Sequence, residues 1–261
     1  MVDLPTKIKI AKSFGAASKS YDISARLQRY TGKHLMPWLP TRNDLTVLDL
    51  GCGTGFFTEI LASKYQRVIG LDISAKMLAF ARPNRSNNII WIESDTYHLP
   101  FKDNSLDLIY SNLMIQWCNP LQPALDEILR VLKPGGLFVF TTLTDDTLHE
   151  LKSSWAQVDD DQHVINFKSE NSLNLLLNSK QSCLLEHNSY SIVLEYENVM
   201  HLARELKGIG ANQVSNKKNK GLSGKDKWQK MSYAYQDFQE PSGIYPATYN
   251  VYSAIVVKLN D

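Results

Sequence analysis

The chain is poor in cysteine. Cys52, Cys118 and Cys183 are an odd, scattered set in 261 residues. No C-x-x-C or other metal-ligand spacing occurs, and no disulfide framework can be drawn from them. Neither sign of charge is in excess: 28 Lys and Arg against 27 Asp and Glu leave a net of +1. That balance removes the global case for nucleic-acid or membrane-surface binding. No apolar run approaches a membrane-spanning length. The stretch from Met1 to Lys7 lacks the apolar core of a signal peptide, so a cytoplasmic location is expected. Internal repeats are absent, and the one biased tract is rich in Asn and Lys near residue 217. The length is long for one domain, short for two, and ample for a sizeable core.

Against that plain background one segment stands out: Val47-Leu48-Asp49-Leu50-Gly51-Cys52-Gly53-Thr54-Gly55. Apolar residues and an acid lead into glycines at every second position. Phe56 to Ala62 then read as the first turns of a helix. This is a strand, a tight loop and a helix, with glycines that permit positive φ and close approach of a ligand. A dinucleotide loop wants G-x-G-x-x-G; here the spacing is G-x-G-x-G and Phe56 holds the place of the third glycine. Asp49 would repel a diphosphate and suit an ammonium group. The loop resembles the first motif of Rossmann-like methyltransferases that use S-adenosylmethionine, a cofactor with an amino-acid end, a sulfonium and no phosphate.

The following segments keep the same register. Val68 to Ser74 read as a second buried strand ending in Asp72, about twenty residues past the glycines, where a carboxylate commonly grips a ribose. Ser74 is placed to cap a helix over 75–81. Asn88 to Asp95 read as a third strand and Leu106 to Asn112 as a fourth. Gly135-Gly136 break the chain before a fifth strand over 137–143. Strands alternating with helical patterns imply right-handed parallel βαβ units with ligands at the carboxyl edge of the sheet. Residues 5–39 read as helical, with Phe14, Ala17, Tyr21, Ala25 and Leu27 near one face. Two helices are expected over 148–178, and a helix that turns basic opens the segment 198–239. Cys183 to Tyr196 and Thr248 to Leu259 read as the last two strands, which in such sheets form an antiparallel edge.

The segments outside the sheet carry a closer likeness. Phe14-Gly15-Ala16-Ala17-Ser18-Lys19-Ser20-Tyr21, Ile115-Gln116-Trp117-Cys118, Phe140-Thr141-Thr142-Leu143, Leu206-Lys207-Gly208-Ile209-Gly210-Ala211 and Tyr245-Pro246-Ala247-Thr248-Tyr249 occur in this order. Together they resemble the malonyl-acyl-carrier-protein O-methyltransferases of early biotin synthesis, over nearly the whole chain. One departure is visible. That family has His-x-Asn before a Phe, whereas His163-Val164-Ile165-Asn166-Phe167 is one residue wider, so neither His163 nor Asn166 is given a role.

The resemblance implies an α/β class I methyltransferase fold. It has a mostly parallel seven-stranded sheet, an antiparallel edge strand, a helical N-terminal segment and helical lid insertions. One domain over residues 1–261 is expected. Its parts are an N-terminal segment 5–39, a cofactor core 44–145, insertions 148–180 and 198–240, and last strands 183–197 and 246–260. The implied reaction moves a methyl group from S-adenosylmethionine to the free carboxylate of malonyl-loaded acyl carrier protein, leaving S-adenosylhomocysteine. A monomer is expected, with no nucleic-acid, membrane or metal partner.

For the cofactor, the resemblance assigns Gly51, Cys52, Gly53 and Gly55 to the methionine end and Asp49 to its ammonium. Asp72 would take the ribose hydroxyls and Ile73 and Met77 would line the adenine. Asp95 would accept from the adenine amino group beside Thr96 and Leu99, and Ser111 and Asn112 would reach the methionine portion. A malonyl carboxylate is ionised near neutrality, as a carboxylic acid of pKa about 4 must be, so no general base is needed. An anion and a sulfonium lose charge as they react, which favours a closed, dry site. Tyr21, Trp117, Tyr245 and Tyr249 are the expected aromatic walls, and Tyr21 also the expected catalytic hydroxyl. Lys207, then Arg204, are the candidates to orient the carboxylate. From Arg204 to Lys230 eight basic and two acidic residues give a local +6, a face suited to an acidic carrier protein. Three other readings stay open at this point: a methyltransferase for another acceptor (a quinone precursor or a free acid such as aconitate), a non-catalytic S-adenosylmethionine-binding module, and nucleic-acid binding through 204–230.

Overall fold

The structure is a computed structural model that describes residues 4–211 and 224–260. In chain order the elements are α1 (Leu4–Ala17), α2 (Tyr21–Ser24), α3 (Arg26–Leu35), β1 (Thr46–Leu50), α4 (Phe56–Ala62), β2 (Arg67–Asp72), α5 (Ala75–Asn84), β3 (Ile90–Glu93) and β4 (Leu106–Asn112). There follow α6 (Gln122–Val131), β5 (Leu132–Leu143), α7 (His149–Ala156), α8 (Glu170–Leu177), β6 (Ser182–Tyr196), α9 (Val199–Gly208), α10 (Gly224–Ala234) and β7 (Tyr245–Lys258). One seven-stranded sheet has the order β3-β2-β1-β4-β5-β7-β6. The first five strands pair in parallel. Strand β7 is the reversed one, antiparallel to both β5 and β6, and forms the expected antiparallel edge with β6.

Both faces of the central strands are covered, which is why their sequences are apolar runs rather than alternations. Leu48, Leu50, Ile109, Phe138 and Phe140 pack with Ala124, Leu125 and Ile128 of α6. Val47, Leu108, Tyr110 and Val139 point the other way, against Leu35, Phe57 and Leu61. A third cluster joins Leu151, Leu202, Met231 and Tyr235 to Ala247, Tyr249 and Val251 of β7, and so builds a roof beyond the carboxyl edge. Strand order reverses on either side of β1, between β2 and β4. Ligand crevices form at such a switch point, and the Gly-rich loop leaves β1 there.

Strand β3 is shorter at both ends than the expected Asn88 to Asp95, and two other strand boundaries differ from the expectation. Gly135-Gly136 do not end a strand. Pairing slips between Leu106↔Leu132 and Leu108↔Leu137, and Gly135 at φ 76° absorbs the slip as a bulge. Strand β7 starts at Tyr245 rather than Thr248. Pro246 is tolerated because this end of β7 pairs with β6 alone, while β5 begins its pairing at Val251.

Candidate active site

Gly51, Gly53 and Gly55 have φ of 78°, 54° and 75°, a region closed to most side chains. At Gly51 a Cβ would also lie 2.3 Å from Met114 Cγ. The loop is tied to β2 by its amides. Gly51 N and Cys52 N donate to Leu71 O at 2.8 and 3.0 Å, and Gly53 N donates to Asp72 Oδ2 at 2.9 Å. Asp72 Oδ1 accepts from Ser74 N at 2.8 Å. Ser74 precedes α5 as expected, but its side chain makes no capping bond. Burial raises the Asp72 pKa, and the three amides around it pull the other way.

Asp49 is 3% exposed, and its Oδ2 accepts from Thr58 Oγ1 at 2.6 Å. Burial pushes its pKa up to about 7, against the Thr58 hydrogen bond and with help from the negative Asp72 nearby. An acid held at this value is ready to become a full anion when a cation arrives beside it.

Three cavities with shared lining residues lie around the loop, here called lobes. The first, about 100 Å³, is lined by Gly51, Gly53, Asp72, Ile73, Met77, Asp95, Thr96 and Asn112, with Lys7, Phe14 and Trp117 from outside the core. The second, about 40 Å³, is lined by Asp49, Gly51, Cys52, Gln28, Arg29 and Asn112. The third, about 80 Å³ and mostly apolar, is lined by Leu27, Gln28, Gln116, Trp117, Leu148, His163, Leu206 and Tyr249. Tyr21 lines all three. Burial, then the acids Asp72, Asp22 and Asp49, push its phenol far above the ordinary tyrosine value, so it stays a neutral O–H. Its neighbour Asp22 fixes α2 over the loop by accepting from Thr54 Oγ1 at 2.5 Å and Arg85 Nη2 at 2.7 Å.

Several expected site residues lie elsewhere. Gly55 is the N-cap of α4, and its α-carbon faces Trp91 rather than a lobe. Leu99 is buried in the core beneath the sheet, and its amide donates to Glu127 Oε2 at 2.9 Å. Ser111 is fully buried and donates to Leu50 O at 2.8 Å, joining β4 to β1. Asn112 reaches the first two lobes but is also held by the scaffold: its Oδ1 accepts from Thr31 and Thr141, and its Nδ2 donates to Gln28 O. Tyr245 packs near Tyr235, with ring centroids 6.2 Å apart, and lines none of the three lobes. Arg204 and Lys207 are exposed. Helix α9 turns Leu202 and Leu206 inward, and residues two and five positions from Leu202 fall on its outer side. Of the basic stretch, Lys217, Lys218 and Lys220 lie outside the described residues.

The structure also brings in residues that sequence reasoning passed over. Lys7 of α1 pairs with the Asp95 carboxylate and sits 4.0 Å from the centre of the Tyr97 ring. Gln28 borders the second and third lobes, and its Oε1 is buried without a hydrogen-bond partner. His163 stacks on Trp155 with centroids 3.6 Å apart and donates from Nε2 to Asp159 Oδ1 at 2.7 Å. Lys227 of α10 donates to Asp159 Oδ2 at 2.6 Å and lies 3.7 Å from Asp161. Burial would raise Asp159, but these hydrogen bonds outweigh it and hold the acid down to about 2. Asp159, Asp161 and His163 are close enough to share a cation, and the Lys227 ammonium supplies one. Cys52 and Cys118 offer no thiolate: burial pushes Cys118 up to about 12 and Cys52 well above its ordinary value.

A model of the methyltransferase domain matches residues 48–140. A malonyl-[acyl-carrier protein] O-methyltransferase of Pectobacterium atrosepticum is 34% identical over 97% of this chain and 97% of its own length. This chain belongs to that family. A second member, from Yersinia pestis, is 35% identical over 97% of this chain and 92% of its own length. The biotin biosynthesis bifunctional protein BioHC of Cellvibrio japonicus is 40% identical over 97% of this chain, which spans 50% of it. Among solved structures, the YcgJ protein of Bacillus subtilis covers 89% of this chain and 100% of its own, with TM-score 0.63 and 17% identity. The [4+2]-cyclase SpnF, at TM-score 0.56 and 17% identity, covers 88% of this chain and 81% of its own. A cyclase and a methyltransferase family thus share one architecture, and the fold alone does not fix the chemistry. Among the described residues no helix is long and apolar enough to cross a membrane.

Proposed function

We propose that this chain methylates the free carboxylate of a malonyl group carried on acyl carrier protein, using S-adenosylmethionine, as a step of biotin synthesis. The observation that carries the reading is the meeting of the three lobes at Tyr21. Two of them suit the two ends of the cofactor and the third suits a small acceptor. The residues fit that cofactor. A Cβ at Gly53 would meet nothing closer than Tyr21 Cε1 at 4.0 Å, so the glycine leaves room that a ligand can take. Asp49 is a buried acid awaiting a cation, and Gln28 Oε1 is a buried acceptor without a donor.

When bound, S-adenosylmethionine supplies an electrophilic methyl group on a sulfonium. Asp49 would hold its ammonium and Asp72 the ribose hydroxyls, with Ile73 and Met77 against the adenine. Asp95 and Thr96 would meet the adenine edge, with Lys7 competing for the Asp95 carboxylate. Tyr21, kept protonated, orients the acceptor oxygen by donating to it. Trp117 and Tyr249 exclude water, so the charged reactants lose more hydration than the less charged transition state. Positioning of this kind is worth up to ~7–11 kcal/mol.

The carboxylate needs one weak orienting partner, since a tight cation would stabilise substrate over transition state. Among the described residues His163 is the one basic side chain that lines the third lobe. Asp159 takes the Nε2–H and Lys227 fixes Asp159, so the imidazolium form of His163 is the one that has an Nδ1–H to donate to the acceptor carboxylate. His163 therefore takes the role expected of Lys207 or Arg204. A turnover assay with malonyl carrier protein, malonyl coenzyme A and aconitate tests the function. Methylation of the malonyl thioesters is expected; activity on aconitate alone, or none, overturns the reading.

A further inference from the structure

Beside the third lobe lies a larger open groove of about 510 Å³. The two share Gln116, Trp117, Leu143, Ile165 and Phe167, so a chain lying in the groove ends where the acceptor sits. The volume is of the order of small-molecule sites, roughly 300–1,000 Å³. Its walls are not those of a fatty-acyl tunnel. Gln116, Asn119, Gln162 and Asn166 place four carboxamides along it, between apolar positions such as Ile115 and Leu173. The amides of Gln116 and Gln162 are committed to the protein: Gln116 Nε2 donates to Leu113 O and Gln162 Nε2 to Val164 O. Those of Asn119 and Asn166, both exposed, make no hydrogen bond among the described residues.

The charge is one-sided. Lys9 of α1 and Lys168, just before α8, line the groove from segments far apart in sequence, and among the described residues no acidic one lines it. Both lysines are exposed, and neither ammonium has an ion-pair partner among the described residues. This sets them apart from Lys7 and Lys227, which are each paired with an aspartate. Two unpaired cations at a groove with free carboxamides call for a ligand with a phosphate at one end and amides along its length. The apolar patches call for methyl or methylene groups between them.

We infer that this groove takes the phosphopantetheine arm of the acyl-thioester substrate. Lys9 and Lys168 receive its phosphate, and Asn119 and Asn166 receive its amides. The inference rests on the proposed function and deepens it, because it says how the thioester reaches the third lobe. Phosphate contacts by two exposed lysines are worth a modest, salt-sensitive amount.

The test compares malonyl-4′-phosphopantetheine with malonyl-pantetheine, which differ by the phosphate alone, and malonyl carrier protein is assayed alongside. In the parent chain kcat/KM is expected to favour the phosphorylated thioester by about five- to tenfold, mainly through KM. In the Lys9→Gln, Lys168→Gln double variant that ratio should fall to near one and the KM for malonyl carrier protein should rise. Lys9→Arg and Lys168→Arg should restore both. A parent chain indifferent to the phosphate, or a double variant that keeps the parent's preference and its KM for the carrier protein, overturns the groove assignment while leaving the methyltransferase reading intact. Absence of turnover on every malonyl thioester overturns both.

Discussion

If Asp49 meets the cofactor ammonium as proposed, cofactor binding becomes a proton-release event. The acid sits at about 7 in the chain without ligand, so near pH 7 about half the molecules carry its proton. An ammonium in contact at ~4 Å, at an effective dielectric of about 20, gains ~4 kcal/mol with the ionised form, which lowers the pKa by about three units. Binding S-adenosylhomocysteine should therefore release about half a proton at pH 7, about nine-tenths at pH 6 and about a quarter at pH 7.5. Titration calorimetry in buffers of different ionisation enthalpy reads this number directly. Asp49→Asn should abolish the release and weaken binding by tenfold or more. The same acid affects stability. A carboxyl raised in the folded state contributes stability that is complete below pH ~4 and is lost as pH rises through about 7. The ligand-free chain should thus lose melting temperature over that window, and the Asp49→Asn variant should show a flatter slope. Proton uptake or release near zero at pH 6, in a protein that binds the ligand, would refute the reasoning.

Tyr21→Phe should lower kcat by about ten- to a hundredfold while calorimetry finds the S-adenosylhomocysteine affinity within about threefold of the parent; a collapse of affinity instead makes Tyr21 a binding residue. His163→Ala should raise KM for the malonyl thioester and leave cofactor affinity unchanged, with Asp159→Asn giving a weaker version of the same effect; unaltered kinetics in both return His163 to the role of a stacking partner for Trp155. Lys7→Met frees the Asp95 carboxylate, so equilibrium binding of S-adenosylhomocysteine should tighten by a few-fold; loss of affinity reverses the assigned competition. Gly51→Ala meets both a forbidden φ and Met114 Cγ at 2.3 Å, and denaturant melts should show a loss of ~2–3 kcal/mol.

The sheet was legible because each central strand is buried on both faces and each turn carries a glycine or an acid. The loop from Gly51 to Gly55 and the acids Asp49 and Asp72 could be placed from spacing, since one short helix and one strand separate the loop from Asp72. The acceptor side was harder. Lys207 and Arg204 looked available, but inward Leu202 and Leu206 set the rotation of α9, and amphipathic phase is decided by what the helix packs against. Tyr245 opens a strand whose early start Pro246 masked, and its ring turns to Tyr235 instead of the lobes. Gln28 gave no signal, because a glutamine on a helix is ordinarily a surface residue. His163 gains its setting from Trp155 and from Lys227, which is far away in the chain, and no local pattern encodes that meeting.

The most direct measurement incubates the purified chain with isotopically labelled S-adenosylmethionine and malonyl carrier protein, then maps the labelled methyl group by mass spectrometry. The account requires it on the terminal malonyl carboxylate, as an ester, with stoichiometric S-adenosylhomocysteine. Label on any other atom of the substrate, or no label while the cofactor binds, contradicts it.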